Sequence, residues 1–226
     1  MTINPEILVS RQFSSHTKAA LNLDDDNILT YDIDSTDGSQ TLADGRKIIS
    51  MAHNDDEVRF IEDLFDKLDP LLGIDFERSM TSKSSDIDIY SVVKVSGWDR
   101  DVLDEVEDQE EQRRVGSWWD VMWKYTDGKT KQNASDLYSI VHEIGHSLGL
   151  SHLNERPYSP KWDSSDTVMS YNPSKADFNT SYSSADIAAL QLIWGSGDGQ
   201  KSGSKKPDQS GGGGSSIVKE VFGTQR

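Results

Sequence analysis

The chain contains no cysteine. Disulfides are therefore excluded, and so is a thiolate that blocks a metal site in a latent form. The absence suits a protein exported unfolded, without an oxidative folding step. Long apolar runs are missing as well. The first residues, Met1-Thr2-Ile3-Asn4-Pro5-Glu6, carry no basic region and no hydrophobic segment. Neither a conventional secretory signal nor a membrane span is expected. Positive charge is scarce: 23 Lys and Arg stand against 39 Asp and Glu, a formal charge of −16. Such a surface repels phosphates, which argues against a nucleic-acid partner. The same acidity suits calcium sites, which want several carboxylate oxygens.

What is present is more telling. His142-Glu143-Ile144-Gly145-His146-Ser147-Leu148-Gly149-Leu150-Ser151-His152 reads H-E-x-x-H-x-x-G-x-x-H. Two histidines four apart share one helix face, so both imidazoles reach one metal ion. Gly149 can adopt a backbone conformation closed to other residues and end the helix. The chain then turns back, and His152 supplies a third nitrogen. Three neutral nitrogens leave a fourth zinc position for water, as catalytic zinc requires. Glu143 is placed to take a proton from that water. Five positions are fixed, and an accidental match in a chain this long has a probability on the order of one in ten thousand.

This stretch resembles the zinc signature of the metzincin metallopeptidases. Val168-Met169-Ser170-Tyr171 resembles the methionine turn of that family, in the form seen in serralysins and astacins. The resemblance implies that Met169 packs under the imidazoles and that Tyr171 is a further ligand that swings to stabilise an oxyanion. The residue after the third histidine is proline in serralysins and glutamate in astacins. Here it is Leu153, which leaves the branch open, with the serralysin and matrixin group nearest.

Along the chain, residues 1–26 are polar and irregular. They form an arm, a short pro-segment, or a first helix around Ala19 to Leu23. Asn27 to Ile33 reads as a strand. Asp34 to Arg46 reads as a loop with Asp-Gly turns, where Asp34, Asp37 and Asp44 are solvated turn residues or, less simply, calcium ligands. Asp55 to Leu72 is a helix, with Val58, Ile61, Phe65, Leu68 and Leu72 at helical spacing and Asn54 or Asp55 as cap. A strand follows Gly73, and Asp86 to Val95 is the clearest strand of all. Asp99 to Glu111 is densely acidic and reads as a solvated loop or exposed helix, with a calcium site or a repulsive rim as alternatives. Val115 to Tyr125 is aromatic and strand-like. In the family an edge strand near this point pairs with extended substrate, so Trp118, Trp119 and Trp123 either line that cleft or fill the core. Ala134 to Leu150 is the metal-binding helix, with Ser135 as its cap. Asn154 to Asp166 is a loop. Ser183 and Asp186 resemble a capping box for a last helix that Gly195 stops. From Ser196 onward the composition is that of a linker.

The expected fold is α+β of the zincin type. It has a twisted, mostly parallel sheet of about five strands, with a long helix and the zinc helix packed on it. A smaller irregular C-terminal part ends in a helix. The expected organisation is an N-terminal segment 1–26, a catalytic domain 27–195 and a flexible tail 196–226. The expected activity is zinc-dependent hydrolysis of internal peptide bonds in protein or peptide substrates by a monomer. The alternatives are a catalytically weak peptide- or zinc-binding module and a zinc amidase on a non-protein amide. The expected location is extracellular, without a cleaved N-terminal signal, with the cytoplasm as alternative.

Overall fold

The computed structural model describes residues 3–197 except 22, 24–25, 43–44, 82–84, 98–103, 110–117 and 126–132. In chain order the elements are α1 (Arg11–Leu21), β1 (Ile28–Ile33), β2 (Gly38–Thr41), β3 (Lys47–Met51), α2 (Asp55–Leu68), β4 (Asp75–Arg78), β5 (Ile87–Val95), β6 (Asp104–Gln109), β7 (Trp118–Trp123), α3 (Ala134–Ser147) and α4 (Ser184–Trp194). Short 3-10 turns occupy Pro5–Leu8 and Leu153–Glu155. The class is α+β.

The period of two places β5 and β7. Ile87 and Ile89 of β5, with Trp119, Val121 and Trp123 of β7, face one core. Their neighbours Tyr90, Val92 and Met122 face a second, smaller cluster with Leu42 and Ile48. Strands buried on both faces read as continuous apolar runs rather than strict alternation. β1 pairs in parallel with β4 and with β5, and β5 pairs in parallel with β7. β2–β3 is an antiparallel hairpin whose second strand runs antiparallel to β5. β6 runs antiparallel to β7.

The sheet is therefore seven-stranded and mixed, not a mostly parallel sheet of about five. The additions are the β2–β3 hairpin, whose first strand lies in a segment read as a loop, and β6, from the acidic stretch read as a loop or exposed helix. In the first, Asp34 and Asp37 close the hairpin: Asp34 accepts from the Thr36 amide and from Gln40 Nε2, and Asp37 accepts from the Ala52 amide. Asp44 lies outside the described residues. In the second, the acidic Asp104–Gln109 is a strand rather than a solvated loop. Its backbone ladder to β7 needs no apolar side chains, so the charge pattern concealed it. The rest of the acidic stretch 99–111, apart from this strand, lies outside the described residues.

That strand also corrects the place of the tryptophans. β7 is flanked by β5 on one side and β6 on the other, so it is not the sheet edge. Trp118, Trp119 and Trp123 are 3%, 2% and 0% exposed. Trp123 donates to His53 Nε2, and Trp118 donates to Asp120. All three lie in the interior, as the core-filling reading expects.

Helix α2 begins at a full capping box. Asn54 accepts from the Asp56 and Glu57 amides, and Glu57 accepts from the Asn54 amide. It ends at Leu68, just ahead of Pro70, four residues short of the sequence expectation. Ile61, Leu64, Phe65 and Leu68 face the core. Phe65 stacks on Tyr31 with ring centroids 4.0 Å apart. Residues 3–21 hold more order than an arm. Leu8 is fully buried, and Ile3, Phe13, Ala20 and Leu21 belong to the main core. Residues 198–226, most of the expected tail, lie outside the described residues. No helix among the described residues is long and apolar enough to cross a membrane.

The α2 cap gives the first prediction. Asn54→Ala should cost about 1 kcal/mol, because two amides lose their acceptor. Urea unfolding should show a lower midpoint with an unchanged slope.

Candidate metal centre

Helix α3 is capped by Asn133, ahead of the Ser135 expected from sequence. The Asn133 side chain accepts from the Asp136 amide, and Asp136 accepts in return from the Asn133 amide. The helix is buried along nearly its whole length, with β7 and β6 packed beside it. It carries His142 and His146 one turn apart. At Gly149 φ reaches +99°, a left-handed conformation that reverses the chain. Three residues later His152 faces the other two.

The three Nε2 atoms lie 3.0 Å (His142–His146), 3.2 Å (His142–His152) and 3.3 Å (His146–His152) apart. Zinc–nitrogen bonds of about 2.0–2.1 Å in a tetrahedron space their nitrogens about 3.3–3.4 Å apart. The triangle fits such an ion. The tautomers agree. His142 Nδ1 donates to the Val168 carbonyl at 2.7 Å, and His146 Nδ1 donates to the Leu150 carbonyl at 2.7 Å. Their protons are thus spent on backbone oxygens, and the Nε2 lone pairs point inward. Among the described residues this is the one group of three or more His, Asp or Glu side chains that can hold a metal ion.

Burial keeps these rings neutral. His142 is pushed down to about 4, first by desolvation. His146 is held well below the usual imidazole range by desolvation and then by the positive charge its neighbours would carry. His152 is lowered by desolvation and by His142.

The remaining predicted site residues gather at the same place. Glu143 is fully buried, with Oε1 3.9 Å from His142 Nε2. Met169 is fully buried, and its methyl carbon stands 3.0 Å from where a Cβ on Gly145 would lie. Any larger residue at 145 would press on that methyl, so glycine and methionine fit as a pair. The Tyr171 ring centroid is 4.9 Å from that of His142 and 5.0 Å from that of His152. The tryptophans do not join them.

Several residues of the site escaped the motif. Tyr138 lies one turn before His142, its hydroxyl 3.1 Å from His142 Nδ1, and it donates to the Ser170 carbonyl at 2.8 Å. The i, i+4 spacing to His142 was the available signal. Asp186 reads in sequence first as a cap, with a support beneath the metal site as the alternative. It does cap α4, accepting from the Ser183 amide, but it also accepts from the Val168 amide at 3.2 Å and from the Thr167 hydroxyl. The Val168–Met169 peptide, whose carbonyl orients His142, donates its own amide to Thr167 Oγ1, which in turn donates to Asp186, so Asp186 braces that carbonyl at one remove. Burial pushes its carboxyl above the ordinary carboxylate range.

No protein-family profile matches this chain. No curated protein matches it either. Among solved structures, the "GM1 bound form of the ECX AB5 holotoxin" contains a chain 12% identical to it. The alignment spans 76% of this chain and 82% of that one, with a TM-score of 0.41. A likeness this distant carries no argument.

A histidine with a lowered pKa stays neutral in the fold where the unfolded chain already takes up a proton. Its contribution is present above the unfolded value and lost as pH falls. Metal-free protein should lose stability from about 6.5 downward toward about 4. Thermal melting of chelator-treated protein across that window should show it, and saturating zinc should raise the melting temperature at about pH 7.

Proposed function

We propose that this chain is a zinc-dependent metalloendopeptidase of the metzincin type. The observation that carries the reading is the convergence of three inward-facing Nε2 atoms beside a buried carboxylate. Further support comes from Tyr171 against two of the rings and Met169 against the ligand helix. His142, His146 and His152 would hold the metal. Bound there, zinc supplies a Lewis acid that acidifies a water and polarises a carbonyl. Glu143 takes a proton from the attacking water and delivers it to the leaving amine. The Tyr171 hydroxyl donates to the oxyanion that develops on the substrate carbonyl. The backbone of β6, on the outer side of β7, is the sheet edge available to an extended peptide.

The order of strands adds to this support. β4, β1, β5 and β7 run parallel in that spatial order, and β6 closes the series antiparallel. The helix after β7 then brings the metal ligands against the sheet. A metzincin-like chain is expected to have a mostly parallel sheet with a long helix and the metal helix packed on it, and the β2–β3 hairpin is an addition to that scheme.

Two variants test the chemistry. Glu143→Ala should retain stoichiometric zinc and lose about 10²–10⁴-fold in turnover of a peptide mixture. Tyr171→Phe should also keep zinc and lose about 10²-fold in kcat with little change in KM. Zinc-loaded Glu143→Ala protein that cleaves like wild type would sink the mechanism. Wild-type protein that binds zinc and cleaves no bond in a denatured proteome, by mass spectrometry of new termini, would sink the peptidase reading.

A further inference from the structure

The third ligand has no helix of its own. His152 follows a sharp turn, and Asn154 and Glu155 beyond it take left-handed φ values of 49° and 59°. Something outside the motif has to fix where its nitrogen lies, and the N-terminal segment is in place to do so. The Ser151 amide, one residue before His152, donates to the Leu8 carbonyl at 2.8 Å. The Ser10 amide donates back to Ser151 Oγ at 3.3 Å. That second contact spans 141 residues of sequence, and the pair forms a two-rung splice at the turn.

Helix α1 extends the grip. The Phe13 ring meets His146 edge-on with centroids 6.2 Å apart, and meets Trp119 at 6.1 Å. Ser14 Cα is 3.6 Å from where a Cβ on Gly149 would stand, so α1 rests on the reversal itself. Lys18 caps the end of α4 by donating to the Ile193 carbonyl at 2.9 Å. From α4, Trp194 Nε1 donates to the Leu148 carbonyl at 2.8 Å. The segment Leu148–Ser151 is thus held between the N-terminal segment and the last helix.

We propose that Leu8, Ser10 and Phe13 are positioning residues of the metal centre, which set His152 against His142 and His146. The N-terminal segment then acts opposite to an inhibitory pro-segment: removing it abolishes metal binding instead of releasing activity. This rests on the metal-site reading above, but not on peptide hydrolysis. A cavity at Phe13 lets the ring of His146 and the turn relax together, and the nitrogen triangle widens.

The test uses full-length chain and reads metal affinity by competition with a chromophoric chelator, at a temperature where every metal-free variant remains folded. Phe13→Ala should weaken zinc binding by about 10–100-fold, the range found when groups that orient ligands are lost. Phe13→Leu should restore most of it. Cobalt-loaded Phe13→Ala protein should lose the intense visible bands of a four-coordinate site. Phe65→Ala, a buried aromatic on α2 away from the histidines, serves as control: it should lower the melting temperature at least as much and leave zinc affinity within about twofold. Equal effects of the two alanine variants on affinity, or no effect of either, would overturn the proposal. Wild type that binds no zinc would overturn the metal site as well, whereas wild type that binds zinc without cleaving peptides would leave this proposal standing.

Discussion

Three nitrogen lone pairs held within 3.3 Å of one another are the constraint around which this molecule is built. Left empty of a cation, such a triangle is electrostatically unfavourable, and burial removes the water that would screen it. The fold must therefore supply the stability that keeps it assembled. It does so by holding the two donor nitrogens His142 Nδ1 and His146 Nδ1 on backbone carbonyls, which fixes ring orientation without using charge. Each of those carbonyls is fixed in turn. The Val168–Met169 peptide is tied through its amide to Thr167 Oγ1, which donates to Asp186 at the start of α4, and Leu150 sits in a turn tied to Leu8 and Trp194.

The result is a site whose supports come from both ends of the chain. α3 supplies two of the three histidines and Glu143 from one rigid rod. The segment after Thr167 supplies Met169 and Tyr171. α1 and α4, some 170 residues apart in sequence, meet around the Gly149 reversal. The sheet contributes a floor: Trp119 and Trp123 of β7 share one core with Ile140, Val141 and Ile144 of α3. This explains why a strand so rich in tryptophan resembles a binding surface in sequence. Large aromatics fill the sheet-helix space as well as they line a cleft.

A second buried polar cluster shows the same design principle at lower stakes. His53 Nδ1 donates to the Asp34 carbonyl and its Nε2 accepts from Trp123. Desolvation lowers its pKa, so the ring is a neutral spacer between β1 and β7. Tyr125 donates to Glu57 in the α2 capping box, which links that cap to the end of β7. Burial, with Glu57 beside it, keeps the Tyr125 hydroxyl protonated. These groups are paired because an unmade bond in the interior costs more than a made one gains.

Sequence by itself determined what depends on local period and local chemistry. The ligand triad, the glutamate beside it, the turn at Gly149, the amphipathic α2, the twofold alternation of β5 and the Ser183 capping box are all short-range patterns. Residues a few positions apart in such patterns are forced onto one face or into one turn. Tertiary structure alone decided what depends on partners distant in the chain. Asp104–Gln109 is a strand because β7 offers a ladder of backbone groups, and no side-chain pattern announces that. β7 is interior because β6 covers it. Leu8 and Phe13 lie beside the histidine triad because their carbonyl and ring meet Ser151 and His146, far along the chain. A hydrogen bond or ring contact across such a gap is set by how the layers stack, and that stacking leaves no periodic trace in the sequence.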